Sequence, residues 1–256
     1  MFPLLRIGPF LVQMPGLAVL ARLWVATTLT EKEALHLKLN STAILNIILY
    51  GLIGGLIGAR LIYAVQHLNI YLASPLTVFS LNTSLLNPLG GLISGLIIAS
   101  LFGRRQKLPL RPTLDALTPG LAVFMIAVGV AHILSGNAYG SPSHLPWAIR
   151  LWGTYRHPTQ IYETVAALII FILWKMISTE SQGSGINFLQ VAALSAGARI
   201  FLEAFHGDSL IWPGGFRAAQ VIGLMILAVA MYLAKQWRRT ELTTSSSEEE
   251  SLIESY

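Results

Sequence analysis

Residues 42–66 read TAILNIILYGLIGGLIGARLIYAVQ, an apolar stretch that carries one charge, Arg60. About 20 apolar residues of helix cross the hydrocarbon core of a bilayer, so the stretch predicts a membrane span. Its glycines, Gly51, Gly54, Gly55 and Gly58, fall in small-x-x-x-small pairs that let helix backbones approach closely. Further windows of this kind lie at 8–29, 85–102, 114–134, 158–177, 186–205 and 216–234. With 54% hydrophobic and only 11% charged residues in 256, the chain is too apolar for an ordinary soluble domain. The expected fold class is all-α, a polytopic integral membrane protein of about seven transmembrane helices.

Lys and Arg gather in cytoplasmic loops, which orients the spans. Lys32 and Lys38 follow the first window, Arg104, Arg105, Lys107 and Arg111 the third, and Lys235, Arg238 and Arg239 the last. The connection 67–84 has no Lys or Arg, and 206–215 offers only Asp208 as a formal charge. This alternation predicts the N-terminus outside, the C-terminus in the cytoplasm and the long connection 135–157 outside. The first window lacks a convincing cleavage site and reads as a retained span. Residues 1–239 form the expected membrane domain, and the Ser- and Glu-rich stretch 240–256 the expected disordered cytoplasmic tail. The basic excess sits in inward loops and contacts membrane lipid headgroups, so no nucleic acid is expected. There is no cysteine, so any reacting thiol comes from another molecule.

Ionisable groups inside a bilayer are costly and face a wet cavity, a partner or a substrate. The sharpest case is RHPTQIYE, residues 156–163, at the mouth of the fifth window. Arg156, His157, Gln160, Tyr162 and Glu163 there combine a cation, an imidazole, an amide, a phenol and a carboxylate. Pro158 suits the first turn of a helix, and capping alone accounts for Thr159 and Glu163 but not for His157 and Gln160. Arg199, Glu203 and His206 are spaced four and three apart, so a helix projects all three from one face. They form either a self-satisfied ion pair or a site. Arg60 either reaches an anionic group or snorkels to the outer surface. Arg22 and Asp115, near the inner ends of their spans, read as interfacial or paired. Gly90 and Gly91 read first as tight packing and second as shaping a cavity. His132, His144 and His157 lack metal-ligand spacing, so neither a metal nor another cofactor is expected.

These features together resemble the bacterial prolipoprotein diacylglyceryl transferases. The resemblance rests on the seven windows, on Gly58, Ala59 and Arg60, on Gly90 and Gly91, on the turn 136–140, on Arg199 with Glu203, and above all on 156–163. The family's version of that run differs only in Leu where Ile161 stands. The resemblance implies a multi-pass enzyme of the bacterial plasma (inner) membrane. Its substrates would be phosphatidylglycerol and a prolipoprotein signal peptide with a lipobox cysteine, whose thiol becomes a thioether. It further implies His157, Glu163, Arg199 and Glu203 as catalytic residues. Substrate contacts are implied for Arg60, Gly90, Gly91, His132, Asn137, Gly140, Arg156, Gln160, Tyr162 and His206.

Four positions depart from the family pattern. Leu89 stands where the family has His, Gly129 where it has an arginine that binds phosphate, His132 where it has Asn, and Asn137 where it has an acid. A later basic position reads His206. The alternative to catalysis is an impaired relative that binds phospholipid or lipoprotein signal segments.

Overall fold

The computed structural model describes residues 4–7, 10–73, 85–178 and 184–253, and among these the side chains from Leu23 to Thr240 except residues 70, 71 and 73. Arg22, read as interfacial or paired, lies outside the described side chains. A small antiparallel pair, β1 (Leu4–Ile7) and β2 (Phe10–Gln13), precedes α1 (Met14–His36). Then follow α2 (Ser41–Gln66), the short α3 (Leu68–Ala73), α4 (Pro88–Arg105) and α5 (Leu110–Ser135). A hairpin of β3 (Ile149–Leu151) and β4 (Thr154–Arg156) leads into α6 (Thr159–Ile177). The chain ends with α7 (Ile186–Leu202), extended by a 3-10 turn at Glu203–Phe205, and α8 (Ala218–Ile253).

Five helices among the described residues are long and apolar enough to cross a membrane. They are α2, α5, α6, α7 with its 3-10 turn, and α8 as far as Thr240. The chain is thus a mostly helical membrane protein. Both α1 and α4 pack into the same bundle, α1 against α5 and α4 against α2. The window at 8–29 departs from expectation, because Phe10–Gln13 pairs as strand and the helix starts only at Met14. At the other end α8 continues to Ile253, so the stretch read as a tail is helical up to that residue. Nothing in the Ser- and Glu-rich composition breaks the helix there, and Thr240 Oγ1 donates 3.1 Å to the Gln236 carbonyl within it.

Local chemistry sets the helix ends. Asn40 accepts from Ala43 N–H at 3.0 Å, and Asn87, ahead of Pro88, accepts from Gly90 N–H at 2.8 Å. Gly136 closes α5 in the left-handed region (φ 78°), its N–H bonded to His132 O at 2.8 Å. The glycines of α2 and α4 face one another. A Cβ on Gly95 would lie 2.8 Å from the Gly51 carbonyl, and one on Gly91 3.0 Å from the Gly55 carbonyl. Gly90 likewise abuts Ile62. The packing role read for Gly90 and Gly91 is the one visible in the fold.

Asp115, 1% exposed, reaches across from α5 to cap α7. Its oxygens accept from Gly185 N–H at 2.7 Å and Phe188 N–H at 3.0 Å. A carboxylate is favoured at that end by the helix dipole, which accounts for an acid buried in a membrane bundle.

Opposite that end, three loop segments join into a cap. Trp152 and Gly153 both have positive φ (54° and 80°), as the tight β3–β4 turn requires. Residues 140–143 lie between 155–157 on one side and 205–207 on the other. Ser141 N–H donates to Phe205 O at 2.8 Å, His157 N–H to Ser141 O at 3.1 Å, and Ser143 N–H to Tyr155 O at 2.9 Å. Gly140 sits where a Cβ would collide with the His157 backbone. The long connection 135–157 is therefore built structure that fixes His157 and His206 relative to the helices.

Candidate active site

Glu163, one turn into α6, is the hub of a polar cluster at the capped end of the bundle. Its Oε2 is 3.0 Å from His132 Nδ1 on α5. Its Oε1 is 2.6 Å from Arg199 Nη1 on α7 and 3.1 Å from His206 Nε2 beyond the 3-10 turn. Arg199 Nη2 in turn lies 2.8 Å from Glu203 Oε2, and His206 Nδ1 is 3.1 Å from Asp208 Oδ1. Arg199 therefore pairs with Glu203 in the 3-10 turn that extends its own helix, as the ion-pair reading expects, and it also reaches Glu163 on another helix.

Gly129 makes the first of these contacts possible. It is buried on α5, and a Cβ there would overlap Thr164 Oγ1 and stand 3.0 Å from the Thr164 backbone. This close approach of α5 to α6 brings His132, three residues on, against Glu163. No side chain fits at 129, so the arginine expected there from the resemblance has no room in this packing.

Accessibility divides the cluster. The Glu203 and His206 side chains are each 1% exposed, whereas the Arg199 side chain is 42% exposed. Neither Glu203 Oε2 nor His206 Nε2 has an aligned hydrogen bond, so their short contacts are electrostatic. His206 lies just beyond the span. Burial lowers its pKa, and the contacts to Glu163 and Asp208 outweigh this, leaving it raised above the ordinary 6.5.

Beneath the cluster is an apolar hollow of about 260 Å³ between α5, α6 and α7, lined by Val128, Ala167 and Ile170 with His132, Glu163 and Arg199 at its head. A second, of about 330 Å³, lies between α5, α7 and α8. The two share Phe124, Met125, Ser195 and Arg199. Arg199 thus stands where two apolar branches meet.

The other sequence-picked residues lie around this centre. Gln160 Nε2 donates to Asn137 O at 3.0 Å, and Thr159 Oγ1 to Ala138 O at 2.6 Å, so Thr159 ties the turn rather than capping α6. The His157 ring packs against Phe205 (centroids 5.2 Å apart) and Tyr162 (6.3 Å), with Nδ1 buried and unpaired. Tyr162 Oη accepts from Trp147 Nε1 at 2.8 Å. The Arg156 guanidinium bonds Gly140 O and Leu151 O (3.2 and 3.3 Å) and lies over the Tyr139 ring, bracing the cap. Arg60, buried in α2, donates to Leu85 O at 3.1 Å and does not line the hollow, and neither do Gly90 and Gly91.

Two members carry no sequence signal that marks them. Asp208 reads only as a loop charge. Arg217, the residue before α8, holds the loop by donating to Glu203 O, to His206 O (3.4 Å) and to Ser209 Oγ (3.3 Å).

Fold and site define a class: polytopic membrane proteins with a charged cluster set over an apolar hollow. A family model described as prolipoprotein diacylglyceryl transferase matches residues 3–235. The chain belongs to that family. Among its relatives are proteins named phosphatidylglycerol–prolipoprotein diacylglyceryl transferase. The one from Clostridioides difficile is 27% identical, over 82% of this chain and 84% of the relative. That from Lactobacillus acidophilus is 26% identical over 89% and 86%, and that from Gloeobacter violaceus 27% over 90% and 91%.

Proposed function

We propose that the forked hollow holds the two acyl chains of phosphatidylglycerol, that Arg199 binds its phosphate, and that Glu163 takes the proton of the attacking thiol. The chain is a transferase that moves the diacylglyceryl group from phosphatidylglycerol to a prolipoprotein. The acceptor is a lipobox cysteine in the signal segment. Its sulfur attacks the glyceryl carbon bonded to the phosphate oxygen. The C–O bond breaks, glycerol phosphate leaves with the electron pair, and a thioether remains.

The observation that carries this reading is Arg199, exposed at the junction of both branches and paired with Glu163. Charge-assisted bonds from a guanidinium match phosphate geometry, and they strengthen as the leaving group gains charge. A free thiol has a pKa near 8.5, so a base is needed at neutral pH. Glu163 lines the hollow and fills that role. His157, its ring held among Phe205 and Tyr162, does not line the hollow and is not the base.

The basic residues between α4 and α5, and Lys235, Arg238 and Arg239 at the far end of the apolar part of α8, support an orientation with the cluster outward, the N-terminus outside and the C-terminus cytoplasmic. With α1 and α4 added to the five apolar helices, the count is seven spans, in the bacterial inner membrane. Purified protein in phosphatidylglycerol vesicles should convert a lipobox peptide to its thioether, read by mass spectrometry. Folded protein that retains phosphatidylglycerol but forms no product would instead support a lipid-binding relative that has lost catalysis.

A further inference from the structure

Arg199 Nη1 and His206 Nε2 compete for one atom, Glu163 Oε1, at 2.6 and 3.1 Å. As the site stands, Arg199 holds the hydrogen bond and His206 Nε2 is left without an aligned partner inside a buried ring. On its far side the same ring contacts Asp208, whose side chain is 36% exposed. A continuous line of exchangeable groups thus runs from the hollow, through Glu163 and His206, to solvent. We propose that His206 and Asp208 form the path by which the thiol proton leaves Glu163, and that a phosphate on Arg199 opens it. The proposal rests on the transferase reading and adds the fate of the proton to it.

The balance is simple. Sulfur forms its bond to carbon and loses its proton to Glu163. When the phosphate draws Arg199 away, Oε1 turns to His206, which accepts the proton at Nε2 and releases one from Nδ1 to Asp208 and water. Asp208 is a positioning residue, since its carboxylate selects the tautomer with Nδ1 protonated and leaves Nε2 as acceptor. The charged groups around His206 are Glu163 from α6, with His132 of α5 on its other oxygen, Arg199 and Glu203 from the α7 end, Asp208 in its own loop, and Arg217, just before α8, on its carbonyl. The backbone clasp by Arg217 and the pairing of 205–207 with 139–141 hold the ring in line.

The relay needs neutral His206, so turnover should rise with pH as His206 loses its proton. In Asp208→Asn the acidic limb of the kcat profile should move down by roughly one pH unit. The plateau should fall about tenfold, while KM for phosphatidylglycerol stays put. Asp208→Glu should restore both. An unmoved limb in Asp208→Asn, or equal loss in Asp208→Glu, would overturn the path.

A second measurement needs no turnover. In micelles with 15N-labelled histidine, glycerol 1-phosphate should raise the titration midpoint of His206, and the rise should vanish in Glu163→Gln. A rise that persists in Glu163→Gln, or no rise in the unmodified protein, would overturn the gate. If the titration responds as expected but no thioether forms at any pH, the transferase reading fails and the gated contact stands.

Discussion

Gly129 of α5 faces Thr164 of α6 so closely that a Cβ on it would overlap Thr164 Oγ1 and stand 3.0 Å from the Thr164 backbone, and this approach sets His132 Nδ1 3.0 Å from Glu163 Oε2. Gly129→Ala forces the helices apart. Overpacking of this kind costs about 1–3 kcal/mol. Thermal denaturation in detergent should show a lower Tm for Gly129→Ala and still less folded protein for Gly129→Arg. An arginine tolerated at 129 would refute the packing.

Arg199 bridges two carboxylates and faces the hollow. Arg199→Ala should reduce thioether formation by about a hundredfold or more, the scale for losing one charged group at a developing anion. Arg199→Lys should recover only part of it, because a single ammonium cannot span Glu163 and Glu203 as a planar guanidinium does. Initial rates with a lipobox peptide give the comparison.

Asp115 acts at the other end of the bundle. Asp115→Ala leaves the Gly185 and Phe188 N–H groups without their acceptor. The expected loss is about 2–3 kcal/mol, from two hydrogen bonds to one charged group. Surviving folded protein should keep its KM for phosphatidylglycerol, since the residue is far from the cluster. A changed KM at unchanged Tm would contradict a purely structural role.

His206 sets a pH dependence of stability. Its folded pKa is raised above 6.5, so its protonated form stabilises the fold; this contribution is complete below pH 6.5 and is lost as pH rises through the raised value. Melting temperature should therefore decline across that window in the native protein. In His206→Gln the decline should be flattened there, as followed by intrinsic fluorescence.

Much of this was legible in the sequence, and the limits have physical causes. Helical period alone puts Arg199 and Glu203 on one face, and the run that holds Glu163 stands out by its cost in a membrane, although capping accounts for Glu163 itself. The run 156–163 was legible as a polar cluster but not as two parts. Glu163 faces the hollow, whereas Arg156 braces the cap and His157 packs among aromatic rings. Arg156 precedes the helix, so helical period says nothing of where it points.

The missing arginine at 129 was visible in the sequence, but the reason no side chain fits there was not. That depends on how closely a second helix approaches. Asp208 and Arg217 escaped for a related reason. Each acts by closing a loop on itself, through contacts to His206 and to the carbonyl of Glu203. The hairpin ahead of α1 was hidden because an apolar run carries no period to separate strand from helix.

The most direct measurement is complementation of a bacterium depleted of its own diacylglyceryl transferase. Expression of this chain should restore growth and the thioether on lipoproteins, and Glu163→Gln, at equal abundance in the membrane, should restore neither. Full rescue by Glu163→Gln would contradict a mechanism centred on that carboxylate.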